Sequence, residues 1–117
     1  MDIQTRQVNG IMVVALAGEM DGRTATIVQE QLLPLAQPGC KILLDMSGVT
    51  YMSSAGLRLL LLLYRQIASN DGRVVLTGLR ESIQDTMLIT GFLDFFVAYR
   101  TLEEGLAALT EDAETPA

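Results

Sequence analysis

Ser53 and Ser54 stand where a phosphoryl group could be received. They lie within Asp45-Met46-Ser47-Gly48-Val49-Thr50-Tyr51-Met52-Ser53-Ser54-Ala55-Gly56-Leu57-Arg58, which reads as a buried strand, a loop and the entrance to a helix. Helix entrances carry unpaired N–H groups and the positive end of the helix dipole, and both stabilise an anion. A phosphate on Ser54 would place about −1.5 to −2 charges at one surface point without unfolding the domain. The small neighbours Ala55 and Gly56 leave a modifying enzyme room to approach. Serine at such a position also has a plain structural use, as an N-cap contributing about 1 kcal/mol. Spacing alone leaves both uses open.

A second group of polar residues, Gly18-Glu19-Met20-Asp21-Gly22, follows an apolar strand. Loops after parallel strands share one edge of a sheet, so this segment is expected beside Ser53 and Ser54. Asp21 could there reach a partner or a nucleotide, or simply cap the helix that follows. Other chemistry finds little support. The chain has no histidine, which rules out a Ser-His-Asp triad and removes the usual general base near neutral pH. It contains no glycine-rich phosphate loop with a lysine, no paired metal-binding carboxylates and no Gly-x-Ser-x-Gly elbow. Lys41 is the only lysine and heads a strand. Cys40 is the only cysteine, so it can form no internal disulfide or cysteine-rich metal site, and a buried, inert thiol is expected. No catalytic residue, metal or cofactor is expected.

The elements that must position these residues follow from pattern. Residues 2–8 and 11–17 flank Asn9-Gly10, the dipeptide favoured in two-residue hairpins. The second strand, Ile11 to Ala17, is apolar throughout rather than alternating, which predicts a strand covered on both faces and central in its sheet. Ala25, Val28, Leu32 and Leu35 recur at helical spacing over 23–36, until Pro38-Gly39 ends the pattern. Cys40 to Met46 reads as another buried strand, 47–52 as a loop, and about 55–69 as a helix. Val74 to Thr77 predicts a short strand, Ser82 to Thr90 a helix closed by Gly91, and about 95–99 a last strand. Thr101-Leu102-Glu103-Glu104 matches a capping box, in which the threonine and the glutamate three residues on satisfy each other's backbone donors. It should open a helix to about Leu109. Residues 1–110 are thus expected to form one domain, and 111–117 an acidic disordered tail.

Alternating strands and helices with short connections imply a small α/β domain, its sheet mostly parallel with an antiparallel first strand. The run Leu59-Leu60-Leu61-Leu62-Leu63 spans more than one turn of its helix, so the sheet alone cannot cover it. Either neighbouring helices bury the remainder, or one or two leucines meet a partner beside the serines.

The 117 residues, 50% of them hydrophobic, suit a single core. A formal charge of −6 repels phosphate backbones and anionic lipid, so neither nucleic acid nor a membrane is an expected partner. No apolar stretch approaches the roughly 20 residues that span a bilayer, and Met1 to Arg6 lacks the organisation of a signal peptide. A cytoplasmic protein is expected.

Two segments resemble the STAS domain family, the sulfate transporter and anti-sigma factor antagonist fold, and specifically its free-standing bacterial antagonists. Leu16-Ala17-Gly18-Glu19-Met20-Asp21 resembles the family's L-x-G-E-L-D, and Leu44 to Leu57 resembles L-D-L-S-x-V-x-F-M-D-S-S-G-L. The resemblance covers about residues 3–109. It implies a sheet domain with four helices that binds an anti-sigma factor acting as a serine kinase. That kinase would phosphorylate Ser54, at the start of the second helix, and a PP2C-type phosphatase would reverse it. Glu19 and Asp21 correspond to the acidic segment near the kinase or its nucleotide, and Ser53, Gly56 and Arg58 flank the same place. The family's aspartate before the serine is Ser53 here, which makes Ser53 an alternative acceptor. The second serine is Ala55, and the glycine after the leucine is Arg58.

The expected function is therefore a phosphorylation-controlled antagonist, with catalysis supplied by the partner kinase. A non-phosphorylated scaffold or assembly subunit is the alternative, in which the serines only cap a helix and the leucines drive oligomerisation. A homodimer is left open. An accessory lipid- or small-molecule-binding domain would require a sizeable apolar pocket. An enzyme with Ser54 as nucleophile lacks a convergent base.

Overall fold

The chain turns back on itself first at Asn9-Gly10, where φ is 53° and 82°. Both residues are left-handed, as a tight hairpin turn demands and as asparagine and glycine tolerate. The turn pairs β1 (Asp2–Val8) antiparallel with β2 (Ile11–Met20), Val8 opposite Ile11. The computed structural model describes residues 1–114. In it β3 (Lys41–Met52), β4 (Arg73–Thr77) and β5 (Val97–Tyr99) add parallel to β2 in the order β1-β2-β3-β4-β5. The mixed sheet with one antiparallel strand is as expected. β2 has a neighbour on each side, but the middle position belongs to β3 rather than β2.

Helices α1 (Gly22–Leu32), α2 (Ser54–Ser69) and α3 (Glu81–Ile89) pack on one face, where Val28, Leu60, Ile67 and Met87 meet Val14, Leu16, Ile42 and Leu44 in one core. α4 (Leu102–Glu114) covers the other face, where Leu109 joins Ile11, Val13, Leu43 and Val75. The unbroken apolar runs of β2 and β3 follow from this. Alternate side chains enter different cores, so neither face can be polar. Of the leucine run, Leu59, Leu60 and Leu63 are buried, while Leu61 and Leu62 are half-buried. Neighbouring elements therefore take up most of that surface.

Several boundaries differ from the sequence reading. Residues 33–35 leave α1 as a 3-10 turn containing Pro34, since proline cannot donate to a continuing helix. β2 runs to Met20, and β3 continues through the segment expected as a loop to Met52. Its Ser47-Gly48 is accommodated by register shifts against β2. Asp45 Oδ1 accepts from the Ser47 amide at 3.1 Å and the Ser47 hydroxyl at 2.8 Å. A Cβ at Gly48 would lie 2.8 Å from that of Ala17, so glycine lets the strands approach there. At α4, the Glu104 amide donates to Thr101 Oγ1 at 3.2 Å, and the Thr101 hydroxyl donates to Glu104 Oε1 at 3.1 Å. α4 extends to Glu114, past the expected end near Leu109 and into the stretch read as a tail. Residues 115–117 of that expected tail lie outside the described residues.

Candidate functional site

The extra length of β2 and β3 creates the site. Beyond the bulges the two strands stay paired to their last residues, Met20 opposite Met52, and each then enters a helix at once. Asp21 is the N-cap of α1 and Ser53 the N-cap of α2. Two helix entrances thus lie side by side at one edge of the sheet, as the sequence reading expected for Asp21 and the serines.

The Ser53 amide donates to the Met20 carbonyl at 2.8 Å. Its hydroxyl oxygen accepts from the Gly56 amide at 3.4 Å, the N-cap bond of α2. Ser53 is half-buried by these ties, whereas Ser54 is exposed. The Ser54 hydroxyl makes no hydrogen bond among the described residues, so none of them places a base within hydrogen-bond reach of it. The two uses left open by spacing are therefore divided. One serine holds the helix and the next presents a free hydroxyl.

Asp21 takes the capping role that spacing had allowed. Its Oδ1 accepts from the amides of Arg23 at 3.0 Å and Thr24 at 3.1 Å, while Thr24 Oγ1 accepts from the Asp21 amide at 2.8 Å. The Thr24 amide holds the carboxyl below its ordinary value of 3.8, against a smaller opposing desolvation. Glu19 beside it is exposed, and its carbonyl accepts from the Thr24 hydroxyl at 2.8 Å.

Gly56 is buried and cannot meet a partner with a side chain. A Cβ there would stand 2.9 Å from Cγ of both Met20 and Met52, so its role is to seat α2 on the strand ends. Arg58 is exposed, one turn further along α2. It borders a groove of about 250 Å³ between α1 and α2, with Ala25, Gln29, Ala55 and Leu62. On the α3 side, Tyr51, Met52, Leu57 and Ile83 line a smaller hollow of about 160 Å³. Tyr51 is 52% exposed and was not singled out by sequence, because its segment read as a loop. Leu88 and Ile89, exposed on α3, were also missed. A hollow of about 500 Å³ between Tyr64, Phe95 and Val97 lies at the other end of α2.

Cys40 is half-buried, and desolvation pushes its thiol up from 9.0. Among the described residues no group of three or more His, Cys, Asp or Glu could hold a metal ion, and no helix is long and apolar enough to cross a membrane.

This five-stranded sheet ordered in sequence, with its helices, is the fold of solved STAS domain structures. The STAS domain family matches residues 2–105, and the chain belongs to that family. Within it the chain falls among the anti-sigma factor antagonists. It is 29% identical over 94 residues to the anti-sigma-B factor antagonist of Bacillus subtilis (strain 168), spanning 80% of this chain and 86% of that one. The solved structure of an anti-sigma-factor antagonist (STAS) domain protein from Planctomyces limnophilus has a TM-score of 0.82 at 18% identity, covering 92% of this chain and 96% of that one. The Bacillus antagonist SpoIIAA shares the fold in its unphosphorylated form (TM-score 0.70, 16% identity, 94% and 98% covered). It does so too in its phosphorylated form (TM-score 0.69, 18% identity, 92% and 99% covered).

Proposed function

We propose that this protein is a cytoplasmic antagonist of an anti-sigma factor with serine kinase activity, switched by reversible phosphorylation of Ser54. The free, exposed hydroxyl of Ser54, beside a cap already supplied by Ser53, carries the reading. Phosphorylation there sacrifices no bond that holds the domain together. The Ser54 oxygen would attack the γ-phosphorus of a nucleoside triphosphate held by the partner, release the diphosphate, and give its proton to a base on the partner. This chain is then the substrate and regulator, not the enzyme.

The partner would engage the surface formed by Glu19, the entrances of α1 and α2, Arg58 and the groove ending at Leu62. Added phosphate would oppose that contact by charge and desolvation. A PP2C-type phosphatase would restore the unmodified form. That SpoIIAA has been solved in phosphorylated and unphosphorylated forms supports applying the same chemistry here.

The test is intact-protein and peptide mass spectrometry of the chain purified from its native host under growth and under stress. Ser54→Ala and Ser53→Ala are carried beside it. One phosphate is expected on the peptide containing both serines, lost in Ser54→Ala and retained in Ser53→Ala. No phosphate under either condition would favour a scaffold or assembly subunit.

A further inference from the structure

Arg58 occupies a peculiar position on α2. Its neighbours three and four residues away along the helix are Ser54, Ala55, Leu61 and Leu62, and Ser54 is the only polar one. Residues four apart on a helix lie on one face about 5–6 Å apart at Cβ. Helical side chains lean toward the N-terminus, so a long side chain at 58 reaches back over the first turn. The Arg58 guanidinium has no hydrogen bond or ion pair among the described residues. The nearby Asp21 carboxylate is engaged in capping α1, and α2 has no acidic residue in its first turn. An exposed arginine and an exposed free hydroxyl therefore share one helical face, and neither is paired with a carboxylate among the described residues.

We infer that Arg58 is the partner, within the same chain, of a phosphoryl group on Ser54, pairing with it four residues apart along α2. This rests on the phosphorylation reading above and adds a component to it. A phosphate is a dianion matched to the forked donors of a guanidinium. Unmodified Ser54 leaves Arg58 facing the α1–α2 groove and available to a partner. Phosphorylated Ser54 draws it to the first turn, so the modification both adds negative charge and withdraws a positive one from the contact surface.

The test needs no kinase. The full chain is made with phosphoserine installed at position 54 during translation, and its phosphate is titrated by phosphorus NMR. Arg58→Gln, Arg58→Lys and Arg23→Gln are titrated in parallel, with circular dichroism to verify that each is folded. The second phosphate pKa, about 6 for free phosphoserine, should rise by about 0.3 unit or more in Arg58→Gln. It should rise less in Arg58→Lys, stay unchanged in Arg23→Gln, and the Arg58→Gln difference should shrink at high salt. Coincident titration of Arg58→Gln and the unsubstituted chain would overturn the pairing, as would an equal shift in Arg23→Gln. Because the phosphate is installed directly, this outcome is independent of whether the host phosphorylates Ser54.

Discussion

The Ser53 amide donates to the Met20 carbonyl at 2.8 Å, and through that bond the entrances of two helices become one surface. Met20 precedes the cap of α1, and Ser53 is the cap of α2. Each entrance would otherwise be a local feature of its own helix. Joined, they hold Asp21 and Ser53 in fixed roles and leave Ser54 outward.

The division of labour between the serines has a direct consequence for stability. Ser53→Ala removes the α2 cap and should cost about 1 kcal/mol. Ser54→Ala should stay within about 0.5 kcal/mol, as for an exposed substitution that breaks no bond. Urea unfolding followed by circular dichroism measures both.

Gly56→Ala should lower stability although alanine is the better helix former by about 1 kcal/mol. Its new methyl would meet Cγ of Met20 and Met52 at 2.9 Å and the Met20 carbonyl at 3.1 Å. Overpacking of that kind costs about 1–3 kcal/mol. A thermal melt at or above that of the unsubstituted chain would refute the tight seat proposed for α2.

Asp21 gives a pH signature. Its carboxyl is lowered in the folded state, so its stabilisation is fully present above 3.8 and is lost as the pH falls through the folded value. Asp21→Ala should therefore melt below the unsubstituted chain at pH 7. The gap should narrow progressively under acid below 3.8. Paired melts across pH 2–7 would show it.

On the α4 face, Thr77 is 1% exposed and its Oγ1 has no hydrogen-bond partner among the described residues. Thr77→Val keeps the shape and removes a polar group buried without compensation, so stability should rise by about 1 kcal/mol. Gly105→Ala should act oppositely, because its Cβ would stand 2.6 Å from Thr77 Cγ2. Hydrogen exchange should then quicken in α4 before it does in α2.

Much of this fold was legible because its signals are local. Asn9-Gly10 forces a hairpin through its own backbone preferences, and the unbroken apolar runs of β2 and β3 announce strands buried on both faces. The serine-bearing helix entrance was legible too, since Ser53-Ser54 precedes the longest apolar helical stretch. The end of β3 was not. Ser47-Gly48 has the composition of a loop, and only pairing across the bulge to Ala17 and Gly18 turns 47–52 into strand. The exposure of Leu88 and Ile89 was hidden for a similar reason, since an apolar residue does not declare whether a neighbour will cover it.

The chain by itself determined that Ser53, Ser54, Asp21 and Arg58 would stand near helix starts, because caps, turns and periodicity act over a few residues. Only the tertiary structure decided which serine is tied down. That choice depends on the Met20 carbonyl, 33 positions away in sequence from Ser53, arriving within hydrogen-bond distance of one amide and not the next. Strand register sets that distance, and register is the sum of every pair along β2 and β3.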